Sequence, residues 1–265
     1  MPRRSLSGKR VIITGASSGI GYELARQLSK EKCRLAINAR RADRLQELEQ
    51  TIRDAGSEVI HVAGDICDPA VRNQLLEQTA DKFGGIDILI NNAGVGAIGE
   101  FIEADEERLR KVMEVNFFAP AELTRSALPF LKSGEQGLVV NISSVLGHRA
   151  VPMKSEYCAS KFALHGLSDS LRAELADQGV DMLLVSPSTT DSEFFDSVLE
   201  NSTGKSWKLS SAQSPEVVAR KTISAIQRNK HEIILTWSGW GLVWLDRLFP
   251  SIANRMVARF GKSPK

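Results

Sequence analysis

The chain predicts a single α/β domain, a doubly wound parallel sheet of seven strands flanked by helices. Two observations lead there. Short, unbroken apolar runs alternate with longer amphipathic segments, and that pattern belongs to a parallel sheet buried on both faces. No Pro/Gly-rich linker, internal repeat or low-complexity tract interrupts it, so residues 1–265 read as one domain.

The elements follow in order. Arg10-Val-Ile-Ile-Thr14 reads as the first strand and Ile20 to Lys30 as the first helix. Leu35-Ala-Ile-Asn38 is the second strand, followed by a charged helix from Ala42 to Ala55. Glu58-Val-Ile-His-Val62 is the third strand, then a helix from Pro69 to Phe83. Asp87-Ile-Leu-Ile-Asn91 is the fourth strand, and one long helix is expected over Glu106 to Leu131. Gly137-Leu-Val-Val-Asn-Ile142 is the fifth strand, with a helix from Ser155 to Gln178. Val180-Asp-Met-Leu-Leu-Val185, a helix from Pro215 to Arg228, and a seventh strand, Glu232-Ile-Ile-Leu235, complete the sheet. The irregular stretch 187–214 is too long for a plain connection and has the character of a substrate loop or lid. Residues 1–8, with the basic Pro2-Arg3-Arg4, are expected to form a frayed end.

Bulk properties exclude several function classes. Apolar residues make up 42% and charged residues 25%, the balance of an ordinary globular protein. A net charge of +2 gives no reason to expect a nucleic-acid partner. The three cysteines, Cys33, Cys67 and Cys158, lack metal-ligand spacing, and an odd number argues against a disulfide framework. Free thiols in a reducing, cytoplasmic compartment, and no metal, are the expectation. Cys158 points about 100° away from its neighbour Tyr157 on a helix and reads as packing. No apolar run follows the basic start, so no secretory signal is expected. The greasiest stretch, 233–245, is shorter than the roughly 20 residues a membrane-spanning helix needs.

Gly15, Gly19 and Gly21 fall in the first strand-to-helix turn, with Ser17, Ser18 and Ile20 between them. Glycines let backbone N–H groups approach a pyrophosphate, and the helix N-terminus adds a favourable dipole. The spacing differs from G-x-G-x-x-G, and a tight turn without a ligand would use similar residues. The second strand ends Asn38-Ala39-Arg40-Arg41. Sites for NAD usually place an acid here to accept from the ribose 2′-hydroxyl. Ala39 cannot do so, whereas Arg40 offers a planar fork to a 2′-phosphate, with Arg41 beside it. Asp43, the competing acid, fits a helix N-terminus. NADP(H) is therefore expected over NAD(H).

Tyr157 and Lys161, four residues apart, share a helix face. A free phenol has a pKa of about 10, and a neighbouring ammonium lowers it. Tyr157 thereby becomes a candidate general acid/base. Ser144 follows the fifth strand, at the carboxyl edge where such sheets bind ligands, and its hydroxyl can hold a substrate oxygen.

These residues resemble the short-chain dehydrogenase/reductase family, and the resemblance covers nearly the whole chain. It is carried by Thr14-Gly-Ala-Ser-Ser-Gly-Ile-Gly21, Asp65, Asn91-Asn-Ala-Gly94, Asn116, Asn141-Ile-Ser-Ser144 and Tyr157-x-x-x-Lys161. It implies a Rossmann-type fold and hydride transfer to or from a nicotinamide ring. It implies Tyr157 as proton donor or acceptor, with Lys161 holding the nicotinamide ribose and lowering the Tyr157 pKa. It implies Ser144 as the residue orienting the substrate oxygen and Asn116 as support for a water-mediated proton relay. Asp65, with Ile66, would contact the adenine, and Asn92, Ala93 and Gly94 would line the cofactor. Where the family often has Pro-Gly followed by valine and threonine, this chain has Pro187-Ser188, with Thr190 and Ser192 at the later places. Pro187, Thr190 and Ser192 remain in the expected cofactor set, with the local loop shape altered.

The substrate pocket is expected from Ser144, Tyr157 and the loop between them, with Val145, Leu146, His148, Val151 and Met153, and from Phe194, Phe195 and Trp207 further on. His148 reads as a loop or pocket-wall residue. This apolar set suits a hydrophobic ketone, aldehyde or alcohol. In the amphipathic segment 237–265, Trp237, Trp240 and Trp244 and their apolar followers alternate with Arg247, Arg255, Arg259 and Lys262. Such a segment lies on a membrane surface, or packs over the substrate mouth or a neighbouring subunit. The resemblance implies a homodimer or homotetramer. Two other classes compete with an active oxidoreductase: a nucleotide-binding scaffold or sensor without turnover, and a Rossmann-like methyltransferase, which would have no use for the Tyr–Lys pair.

Overall fold

A computed structural model describes residues 3–191 and 212–260. Ser192, Phe194, Phe195 and Trp207, and most of the 187–214 loop, lie outside the described residues, as do residues 261–265.

Each apolar run forms the strand its composition predicts: β1 (Arg10–Thr14), β2 (Arg34–Ala39), β3 (Val59–Ala63), β4 (Ile88–Asn91), β5 (Gly137–Ile142), β6 (Val180–Ser186) and β7 (Glu232–Ile234). Among the described residues they make one seven-stranded sheet in the order β3-β2-β1-β4-β5-β6-β7. Every pairing is parallel. The order reverses between β1 and β4, and ligands of open α/β sheets bind at the carboxyl ends beside such a switch.

Strand residues alternate between the two faces. Val11, Ile13, Leu35, Ile37 and Ile90 pack beneath α1 (Gly19–Lys30), α2 (Ala42–Asp54) and α7 (Pro215–Gln227). Ile12, Ala36, Leu89, Val139 and Met182 face the opposite layer, which contains α3 (Pro69–Phe83) and α5 (Ala119–Ser133). Burial on both faces is why the strands read as unbroken apolar runs rather than alternating ones.

The structure corrects the expectation of one helix over 106–131. α4 (Glu106–Met113) passes through a π turn at 114–118 before α5 begins. Pro120 has no N–H to bond the carbonyl of Asn116 four residues earlier, so a regular ladder cannot run through this point. The next long helix, α6 (Ser155–Leu175), ends in a 3-10 turn at 176–178. The N-terminus is also corrected. Arg4 is buried, pairs with Asp181 at 2.6 Å and donates to Asn229 at 3.2 Å, while Leu6 joins the core. Residues 4–6 are therefore tied to β6 and the end of α7 rather than frayed.

Beyond β7, the C-terminal segment folds into α8 (Trp237–Leu248) and α9 (Pro250–Phe260). Thr236 caps α8, its hydroxyl accepting from the Gly239 N–H at 3.0 Å. Among the described residues no helix is long and apolar enough to cross a membrane.

Candidate active site

A cleft of about 740 Å³ runs along the carboxyl ends of the strands. One end is built from backbone. Gly15 and Gly19 adopt φ of +66° and +57°, conformations that favour glycine. A Cβ on Gly15 would sit 2.8 Å from the Ala93 Cα, and one on Gly21 would sit 2.4 Å from the Gly15 carbonyl oxygen. Asn92 locks the arrangement by donating to the carbonyls of Thr14 at 2.9 Å and Gly15 at 3.1 Å. The Thr14 hydroxyl returns the link, accepting from the N–H groups of Asn92 and Ala93, each at 3.0 Å. Gly15, Ser17, Ser18, Gly19 and Ile20 line the cleft, and the α1 N-terminus opens at Gly19. Gly21 does not line it. It was expected to touch cofactor, but its missing side chain instead lets helix and turn close on each other.

Arg40 and Arg41 both line this end. Arg41 is docked: its guanidinium reaches the Ser17 hydroxyl at 3.0 Å and the Ser18 hydroxyl at 2.9 Å. Arg40 is exposed. Asp65 and Ile66 form the adjoining wall after β3. Asp65 also holds its own turn, accepting from the Cys67 N–H at 3.0 Å.

The middle of the cleft is polar. Ala93 and Gly94 continue its floor, with Asn92. Asn91 donates to Thr124 at 3.0 Å and to Asn141 at 2.9 Å, cross-linking β4, α5 and β5 beneath the site. Asn116 is buried in the π turn and its side chain does not line the cleft. Its amide instead grips the Val95 backbone in both directions, at 2.9 Å each, and donates to Ser160 at 3.0 Å. A Cβ on Gly94 would lie 3.2 Å from the Asn116 carboxamide oxygen and 3.8 Å from the Lys161 ammonium. Gly94 thus leaves room for both groups.

Ser144, Tyr157 and Lys161 converge on one wall. Ser144 caps the 3-10 turn at 145–147, its hydroxyl accepting from the Leu146 N–H at 3.1 Å. It also shares a side-chain hydrogen bond with Tyr157. The Lys161 ammonium lies 5.7 Å from the Tyr157 ring centroid and donates to the Ile142 carbonyl at 3.0 Å. Burial pushes the Tyr157 phenol up to about 12, against the opposing pull of the Ser144 hydrogen bond. Burial alone lowers Lys161 to about 8. Desolvation, which favours the uncharged form of each group, and not the neighbouring ammonium, sets the direction of both shifts in the protein by itself. The phenol keeps its proton across the neutral range.

At the far end, Leu146 and Val151 line the cleft as expected, and Pro187 and Thr190 border it after β6. His148 and Met153 do not line it. The imidazole of His148 is buried behind the wall, bonded to Ser186 at 2.9 Å and close to Glu232 at 3.2 Å. Burial first, then repulsion from His165 and Arg247, lowers its pKa to about 4. It is a neutral group joining the Ser144 turn to β6 and β7. Met153 takes a φ of +67° and offers its carbonyl to the Gly99 N–H at 2.9 Å, bracing the loop after β4.

Sequence reasoning missed Val95, Ala97 and Ile98, Lys154, and Leu242 and Val257 from α8 and α9, all of which line the cleft. Gly94-Val-Gly-Ala-Ile98 directly follows a recognised motif and carried the signal for the first group. No local pattern distinguishes Leu242 or Val257 from other helix residues.

Residues 9–203 match the family described as short chain dehydrogenase. A dehydrogenase/reductase SDR family protein 7-like from Anopheles gambiae is 32% identical over 259 residues, covering 94% of this chain and 82% of the relative. Among solved structures, a short chain dehydrogenase/reductase from Burkholderia phymatum in complex with NAD superposes with a TM-score of 0.86 at 26% identity, over 94% of this chain and 96% of that one. A short chain dehydrogenase from Burkholderia cenocepacia in complex with NADP gives 0.77 at 26% identity, over 87% and 97%.

Proposed function

The chain belongs to the short-chain dehydrogenase/reductase family, a family of nicotinamide-dependent oxidoreductases, and from that premise we propose that it is an NADP(H)-dependent enzyme interconverting an apolar ketone or aldehyde with its alcohol. The observation that carries the reading is the convergence of Ser144, Tyr157 and Lys161 on a cleft whose other end is a glycine-lined helix N-terminus.

The residues present fit a dinucleotide. Gly15, at φ +66° and packed on the Ala93 backbone, shapes the turn whose main chain, with the α1 N-terminus, would hold a pyrophosphate. The donor set Arg41, Ser17 and Ser18 suits a 2′-phosphate, and Asp65 with Ile66 would face the adenine. Asn92, Ala93, Gly94, Pro187 and Thr190 would border the remainder. When bound, the nicotinamide supplies or accepts the hydride.

The chain's own residues handle the proton. Ser144 and Tyr157 both donate to the carbonyl oxygen and set its position. Tyr157, held neutral by burial, releases its proton as charge develops on that oxygen, and the Lys161 ammonium stabilises the phenolate left behind. In the reverse direction the phenolate takes the alcohol proton. Asn116 holds Val95 and Ser160 in place. Asn116 would also support a water-mediated relay toward Lys161. The apolar wall of Ile98, Leu146, Val151, Leu242 and Val257 favours a hydrophobic substrate.

The test is titration of the protein with NADPH and NADH, followed by nicotinamide fluorescence, then addition of apolar ketones and aldehydes. NADPH should bind at least tenfold more tightly and be oxidised by members of the panel. Failure of both nucleotides to bind would overturn the proposal. Tight binding with no oxidation by any carbonyl would assign the chain to a scaffold or sensor role instead.

A further inference from the structure

Helices α8 and α9 carry a surface that the oxidoreductase chemistry does not use. α8 has two faces. Gly239 and Val243 are buried, and a Cβ on Gly239 would lie 2.7 Å from the Val145 side chain, so this face rests on the turn that follows Ser144. On the other face Trp237, Trp240, Trp244 and Leu248 follow at three- and four-residue steps, which makes one stripe. They are 89%, 49%, 40% and 62% exposed, and Phe249 and Ile252, each 55% exposed, continue the apolar surface. The indoles form a row, with centroids 6.4 Å apart from Trp237 to Trp240 and 5.7 Å from Trp240 to Trp244. An exposed apolar face of this kind marks an interaction site.

Charge selects the occupant. Residues 237–265 contain Arg247, Arg255, Arg259, Lys262 and Lys265 but only one acid, Asp246. That acid is paired with Arg149 at 3.0 Å. Arg247 lies 5.8 Å over the Trp244 ring, at the edge of the indole row. On α9, Ile252, Arg255 and Arg259 share a helical stripe and are exposed. A second copy docked on this face about a twofold axis would set the cations against their own image. Anionic headgroups would neutralise them. Indoles, apolar in body with one N–H at the edge, suit the boundary between headgroups and acyl chains.

We propose that the α8–α9 face docks on an anionic lipid bilayer, lying in the plane of its surface with the tryptophan row at the acyl boundary and the arginines among the headgroups. The same helices supply Ser238, Gly239, Leu242 and Val257 to the cleft wall. The docked surface therefore adjoins the cleft.

The experiment is flotation of the full chain with vesicles of phosphatidylcholine alone and of phosphatidylcholine with phosphatidylserine, without nucleotide or substrate. A negative result would thus leave the oxidoreductase proposal standing. The expected result is co-flotation with the phosphatidylserine vesicles, weakened by salt, with a blue shift of indole emission. Trp237→Ser with Trp240→Ser, and separately Arg255→Glu with Arg259→Glu, should each weaken binding at least tenfold while circular-dichroism melting stays within a few degrees of wild type. Absence of flotation would overturn the proposal, as would flotation indifferent to both variant pairs. A dimer in lipid-free solution that Trp237→Ser dissociates would assign the face to a second copy and overturn it equally.

Discussion

The two ends of the cleft are built by different means. The end proposed for the nucleotide is shaped mainly by backbone: glycines without room for a Cβ, carbonyls clamped by Asn92, and a helix N-terminus, with Arg40 and Arg41 at its rim. The end proposed for the substrate is made of side chains delivered from distant segments, Ile98 after β4, Leu146 and Val151 after β5, Leu242 and Val257 from the C-terminal helices. Between them stand Ser144, Tyr157 and Lys161, each fixed to the backbone or to one another. A cradle of main chain tolerates few sequences, so it is written in short motifs. A wall of apolar side chains tolerates many, so it can be retuned without disturbing the chemistry.

The largest effect should come from the junction. Tyr157→Phe removes the proton but little volume, and turnover should fall by about 10²–10⁴-fold while nucleotide affinity stays within about threefold. Comparable loss of both would mean the residue is structural. Next comes the backbone end. Gly21→Ala forces a methyl to within 2.4 Å of the Gly15 carbonyl oxygen. Overpacking of this kind costs about 1–3 kcal/mol, and both melting temperature and nucleotide affinity should drop, the latter by about tenfold or more. An unchanged nucleotide Kd would break the claim that this end is rigid.

Arg41→Ala sharpens the comparison within the nucleotide end. Hydrogen bonds to charged groups contribute about 1.5–3 kcal/mol, so NADPH affinity should weaken roughly 10–100-fold and NADH affinity by no more than about twofold. Arg40→Ala, at an exposed position, should do less. Equal losses for both nucleotides would remove the 2′-phosphate role.

The pH dependence follows from burial. Lys161 is lowered to about 8, so its charged form is present below that pH and lost above it. Tyr157, raised to about 12, keeps its proton throughout the range. Carbonyl reduction should therefore decline above about pH 8, approaching on the order of tenfold per pH unit. A flat profile to pH 10 would contradict the role of the ammonium. The smallest effect is expected at the side-chain end: Leu242→Ala should raise KM for an apolar carbonyl by roughly tenfold, the low end of the ~1–3 kcal/mol range of a pocket methylene, with the NADPH Kd unchanged.

The same contrast explains what could be read in the sequence. All seven strands were legible because burial on both faces leaves unbroken apolar runs. The places of Gly15, Ser144, Tyr157 and Lys161 along the cleft were legible because short motifs on strand ends and one helix face carry them. The break at 114–118 was legible only through Pro120, whose missing N–H interrupts the ladder; that Asn116 there reaches Val95 across the fold was not. His148 and Met153 were misplaced for a related reason. Position in a loop does not say which way a side chain turns, and His148 turns toward Ser186 while Met153 serves through its carbonyl. Arg4 read as a loose basic end because its partner, Asp181, lies on β6. Raised burial around Tyr157 was equally invisible, since the ammonium four residues away promised the opposite shift.

The central claim is that Tyr157 delivers a proton to a carbonyl whose hydride comes from NADPH. Its most direct test is a single-turnover experiment, with excess protein preloaded with NADPH, mixed with an apolar ketone and followed by loss of nicotinamide absorbance, for wild type and Tyr157→Phe in parallel. The prediction is rapid loss in the wild type and at least a hundredfold slower loss in the variant, with equal NADPH loading. Equal rates in the two proteins would contradict it.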